Sequence, residues 1–126
     1  MKILGIDYGS KRVGLAISDE THTLARELII LSPKEFWQQI EKLCEDEVVS
    51  KIVIGLPLNM SGGQTDTTRS VQEFADKLEE KLDIPVEYMD ERLSSVMAGN
   101  VPGGKKNIDS LAAQIILQNY LDKIKD

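Results

Sequence analysis

Residues 3–19 run Ile3-Leu4-Gly5-Ile6-Asp7-Tyr8-Gly9-Ser10-Lys11-Arg12-Val13-Gly14-Leu15-Ala16-Ile17-Ser18-Asp19. An apolar run stops at Asp7, a short polar segment follows, and Val13, Leu15 and Ile17 then alternate with small or polar residues. Such alternation is what a strand with one apolar face requires. The intervening segment is short enough for an antiparallel hairpin, with Gly9 suited to a positive φ. A third β-like stretch, Leu28-Ile29-Ile30-Leu31, follows the turn at Ser18-Asp19-Glu20-Thr21. The opening is therefore predicted to be a three-stranded meander.

Outward from this meander the period changes. Ser32-Pro33 supplies a helix cap and a first-turn proline, with Glu35 placed to complete a capping box. Phe36, Ile40, Leu43 and Cys44 follow at helical spacing, predicting a helix over about residues 33–48. Lys51 to Pro57 is a short apolar run stopped by proline, the pattern of a central parallel strand covered on both faces. After a Gly-rich loop at 59–66, Val71, Phe74, Ala75, Leu78 and Leu82 mark a second helix over about 67–82. Residues 84–89 form a strand entered through Pro85, and Leu111, Ala112, Ile115, Ile116 and Tyr120 mark a last helix running to about Lys123. Between them, Gly99 to Lys106 is rich in glycine and is expected to be mobile. The order β-β-β-α-β-α-β-α predicts an α/β fold, a mixed five-stranded sheet with helices on both faces.

The chain has 126 residues, in the size range of one domain spanning 1–126, and 41% of them are hydrophobic, enough for one core. No apolar run reaches 18 residues, and Asp7 interrupts the first one too early for a signal peptide, so membrane and secreted classes are not expected. The single cysteine, Cys44, allows no internal disulfide and fits a reducing, cytoplasmic location. A formal net charge of −6 argues against holding nucleic acid by overall charge, yet acidic residues can bind divalent cations that meet phosphate in turn.

Open α/β sheets bind ligands beyond the carboxyl ends of their parallel strands. Those ends present Asp7, the segment Gly55 to Asn59, and Asp90-Glu91-Arg92, while Asp109 opens the last helix. With the second strand antiparallel to the first, Lys11 and Arg12 fall at this same edge and Asp19 at the opposite one. Carboxylates converging from distant segments suit two Mg²⁺ or Mn²⁺ ions, which can activate water and stabilise a leaving oxygen in phosphodiester cleavage. Neighbouring strand residues face opposite ways, so Asp90 and Glu91 are alternatives, and spacing alone does not choose between them. Taken singly, Asp7 could support a turn, Asp109 could be a first-turn acid favoured by the helix dipole, and Asp90-Glu91-Arg92 could be a solvated charge run.

Residues 5–19 resemble the opening signature of the YqgF/RuvX family, Holliday junction resolvase-like proteins linked to maturation of precursor 16S ribosomal RNA. Three further blocks agree in order: Val53 to Gly62, Asp90 to Ser95, and Asp109 to Leu121. The resemblance implies a ribonuclease H-like fold and a metal-dependent nuclease acting on structured nucleic acid. By motif position it makes Asp7, Glu91 and Asp109 the acidic, metal-binding triad, with Asp90 the alternative to Glu91. It places Lys11 and Arg12 on substrate phosphate, with Arg69 and Arg92 as weaker candidates, and Gly55 and Asn59 where backbone and amide approach the substrate. The implied cofactor is Mg²⁺ or Mn²⁺, two ions with substrate, and the implied partner is precursor 16S ribosomal RNA or a pre-ribosomal particle. A monomer suffices for trimming one RNA end, whereas a four-way DNA junction favours a weak homodimer cutting both strands.

The chain departs from the family pattern in its short, Gly-rich stretch at 95–106, which lacks the acidic residue that usually follows the strand-five motif. That departure keeps a noncatalytic RNA- or ribosome-binding module as an alternative. Residues 5–10 also resemble the first phosphate loop of actin-like ATPases, but 126 residues leave room for only one of the two domains those proteins need. His22 lies in a turn away from the proposed site, and Cys44 and Trp37 are expected to pack. Lys105-Lys106 is expected to be solvated, and 5% aromatic residues give little support for a single-strand stacking platform.

Overall fold

A computed structural model describes residues 1–57, 63, 65–90 and 108–124, the last segment as backbone only at 108–110. Its strands are β1 (Lys2–Tyr8), β2 (Val13–Ser18), β3 (Ala25–Leu31), β4 (Val49–Leu56) and β5 (Val86–Asp90). Its helices are α1 (Pro33–Asp46), α2 (Asp66–Leu82) and α3 (Ile108–Ile124). The five strands form one sheet in the order β3-β2-β1-β4-β5. β1, β2 and β3 are an antiparallel meander, and β4 runs parallel to both β1 and β5. The Gly-rich segment 99–106 and most of the 59–66 loop lie outside the described residues.

The period-two pattern sorts side chains onto two faces. Leu4, Ile6, Val13, Leu15, Ile17, Ile52 and Ile54 pack with Phe36, Ile40 and Cys44 of α1 and Val71, Phe74 and Leu78 of α2. Ile3, Ala16 and Val53 pack on the opposite face with Ala113, Ile116, Leu117, Tyr120 and Leu121 of α3. The fold is thus three layers, α1 and α2 on one side and α3 on the other, as predicted. Ser32 caps α1 through the amide of Glu35, whose carboxylate accepts from the Ser32 amide, completing the capping box. Trp37 packs edge-on to Phe36 and against Phe74, and Cys44 is buried.

Several details differ from the sequence expectations. α1 ends at Asp46 rather than 48, because Val48 adopts φ 55° and turns the chain directly into β4, which begins at Val49 rather than 51. Gly9 does not occupy the positive-φ region; an added Cβ would meet the Arg12 carbonyl oxygen at 2.9 Å, so glycine serves there by its lack of bulk. The buried stripe of α3 is Ala113, Ile116, Leu117, Tyr120 and Leu121, with Leu111, Ala112 and Ile115 only partly buried. That helix is apolar on most of its circumference, so periodicity leaves its inward face undetermined.

Candidate active site

β1, β4 and β5 end side by side. Ile6 pairs with Ile54, Gly55 with Met89 and Leu56 with Asp90, so Asp7, one residue before the end of β1, stands level with Gly55. Asp7 follows Ile3 and Gly5 on the α3 face and is half-buried. The turn from Gly9 to Arg12, closed by the Gly9 amide donating to the Arg12 carbonyl at 2.9 Å, brings exposed Lys11 and Arg12 to the same edge. Arg69, in the first turn of α2, pairs with Asp66 and is likewise exposed. α2 itself is tied to the end of β4, since the buried Thr68 hydroxyl donates to the Pro57 carbonyl.

The path of α3 is set by the absence of a side chain at Gly5. A Cβ there would lie 2.7 Å from the Leu117 Cβ and 3.2 Å from the Ala113 carbonyl oxygen. Farther along, Tyr120 meets Lys51 near the start of β4 with a 3.0 Å hydrogen bond, so α3 runs opposite to β1 and begins at the edge where β1 ends. From Ala113 back to residue 109 is about 6 Å of helix, and from Gly5 on to Asp7 is about 6.6 Å of strand. The α3 backbone therefore starts toward the edge at which Asp7 stands.

Asp90 also stands at this edge, but on the other face. Its ladder partner Leu56 belongs with Ile52 and Ile54 on the α1/α2 side, whereas Met89 packs into the α3-side cluster. Glu91, Arg92, Asn59 and the Asp109 side chain lie outside the described residues. Among the described residues no three His, Cys, Asp or Glu side chains gather as a metal site.

The far edge holds structure instead. Asp19 ties the β2–β3 turn by accepting from the Thr23 amide at 2.7 Å and the Thr21 hydroxyl at 2.8 Å, bonds that hold its carboxyl below the usual carboxylate range. His22, at φ 57°, meets the Met1 carbonyl oxygen at 2.7 Å in that turn. Lys51 donates to both Tyr120 and Glu87; its bond to Tyr120 holds the ammonium above its ordinary range, and a hydrogen bond of Glu87's own with the Tyr120 hydroxyl holds that carboxyl low. Sequence reasoning missed the roles of Gly5, Thr68, Gln114 and Gln118. The signal for the two glutamines is their i, i+4 spacing within the apolar run Leu111 to Leu117 and just beyond it.

A mixed sheet of this order and layering, with helices on both faces, defines a ribonuclease H-like fold. Two solved structures share it over nearly the whole chain. The Thermus thermophilus RuvC bound to a Holliday junction substrate aligns with TM-score 0.59 at 12% identity, covering 98% of this chain and 96% of that one. The fowlpox virus resolvase with junction DNA gives TM-score 0.59 at 13% identity, covering 100% of each. The chain belongs to the RuvX family, whose model, described as "Holliday junction resolvase", matches residues 1–123. A Maridesulfovibrio salexigens protein named "Putative pre-16S rRNA nuclease" is 43% identical over 132 residues, covering 96% of this chain and 98% of its own length. A Streptococcus mutans protein of the same name is 41% identical, with 98% and 99% covered. Among the described residues no helix is long and apolar enough to cross a membrane.

Proposed function

We propose that this chain is one ribonuclease H-like domain, residues 1–126, working in the cytoplasm as a divalent-metal-dependent nuclease that matures the 5′ end of precursor 16S ribosomal RNA. The observation that supports the reading is that Asp7, next to last in β1, faces α3 at the sheet edge from which the α3 backbone starts. The names of the relatives supply the substrate.

The donor chemistry fits Mg²⁺ or Mn²⁺, because the oxygen ligands these hard ions take are what aspartate and glutamate provide. Asp7, Glu91 and Asp109 would hold them; strand alternation favours Glu91 over Asp90, since Asp90 shares the α1/α2 face with Leu56. When bound, such ions supply charge stabilisation and an activated water for in-line hydrolysis of a phosphodiester. Lys11 and Arg12 would grip a neighbouring phosphate from the β1–β2 turn, with Arg69, Arg92 and Asn59 contributing along the same edge. Gly55, buried beside Asp7, leaves room for the substrate backbone. A monomer serves this reaction.

The family model's description favours a second reading, resolution of four-way DNA junctions, in which a weak homodimer would cut two strands. Cleavage of a precursor 16S 5′-leader RNA and a four-way DNA junction, side by side in Mg²⁺, Mn²⁺ and EDTA, separates the two. RNA-selective, metal-dependent cutting is expected. Junction-selective cutting would establish the resolvase reading, and RNA binding without cleavage would establish a noncatalytic module.

A further inference from the structure

Packing alone does not set the height of α3 along β1. Leu117 and Ala113 settle onto Gly5 through dispersion contacts, which are close but not directional. Direction comes from two amides one helical turn apart. Gln118 accepts from the Ala25 amide at 2.9 Å and donates to the Thr23 carbonyl at 3.0 Å, while Gln114 donates to the Ala25 carbonyl at 3.1 Å. All three bonds end on the backbone at the start of β3, and Gln118 is steadied by a further bond to Asp122 at 3.0 Å. Sliding α3 would lengthen or bend all three together.

We propose that Gln114 and Gln118 are positioning residues for divalent-cation binding, fixing α3 axially against β3 so that the start of the helix stays at the edge where Asp7 stands. The proposal rests on the metal-dependent reading above. Magnesium demands near-ideal octahedral geometry, and a site of this kind tolerates ligand displacement of only about 0.5 Å. The same bonds also occupy backbone groups of β3, which is an edge strand, so the competing account is that the glutamines only protect that edge.

The test uses the whole chain as wild type, Gln114→Leu, Gln118→Leu and the double variant. Mn²⁺ binding is followed by electron paramagnetic resonance of the free ion, and cleavage of the leader RNA by titration with Mg²⁺. Partners that touch the metal ligands themselves are typically worth about 10- to 100-fold in metal affinity, and residues that act one step farther out belong at the low end of that range. The double variant is expected to bind Mn²⁺ about 10-fold more weakly and to need correspondingly more Mg²⁺, with KM for RNA unchanged. If the double variant does not fold, Gln114→Leu, which loses a single bond, is expected to show the same shift at smaller size. A folded variant with wild-type Mn²⁺ affinity would overturn the positioning role and leave edge protection. A wild type that neither binds Mn²⁺ nor cuts would overturn the metal-dependent reading itself, and the positioning role with it.

Discussion

The two faces of the sheet are built to different rules. Under α1 and α2 the strands present Leu4, Ile6, Leu15, Ile17, Ile52 and Ile54, and the helices answer with Phe36, Ile40 and Phe74. Under α3 the corresponding places on β1, β2 and β4 include Gly5, Gly14, Ala16 and Gly55. Large side chains hold two helices off the sheet and bury most of the core, which is a source of stability. Small ones let a single helix approach the backbone, which places residues on α3 and β1 with little side-chain slack between them. The first face makes the fold durable, and the second makes it accurate at the edge where Asp7 stands.

Truncating the thick face should cost the most stability. Phe36, fully buried and in contact with Trp37 and Phe74, should cost about 3–5 kcal/mol as Phe36→Ala by denaturant melt, while the protein that remains folded cuts normally. Gly5→Ala should cost less stability, about 1–3 kcal/mol for overpacking against Leu117, yet lower metal-dependent cleavage far more than its melting curve predicts, because α3 must lift. Equal activity in folded Gly5→Ala and wild-type protein would erase the contrast between the faces. The smallest effect concerns Cys44 on the thick face, whose thiol burial pushes up from 9.0 to about 11. A raised acid favours the protonated form in the fold, so its contribution is complete below pH 9 and is lost as pH rises through about 11. Melting at pH 8 to 11 should show an alkaline loss that Cys44→Ala reduces.

The thick face was the more legible. Val13, Leu15 and Ile17 announced one side of β2, and Phe36, Ile40, Val71 and Phe74 announced the helices that cover it, because large apolar residues repeat with the period of the element that carries them. The thin face was harder to read. Glycine and alanine carry no pattern of their own, and the apolar circumference of α3 concealed which stripe turns inward. Asp7 was legible as a strand end and Lys11-Arg12 as its neighbours across the hairpin. The face on which Asp90 stands needed its ladder pairing with Leu56, a long-range fact that no local spacing contains. Gln114 and Gln118 were passed over for the same reason, since their partners at Thr23 and Ala25 are distant in the chain.

Asp7 and Asp90 stand at one edge of one sheet on opposite faces, so their substitution tests the central claim directly. The measurement is Mg²⁺-dependent cleavage of the leader RNA by purified Asp7→Asn and Asp90→Asn proteins, with melting curves for both. Cutting lost in Asp7→Asn and retained in Asp90→Asn is the expected result, with both proteins folded, since the substitution removes the negative charge proposed to hold metal at nearly constant volume. Full activity in Asp7→Asn, or loss confined to Asp90→Asn, would contradict the assignment of the chemistry to the α3 face.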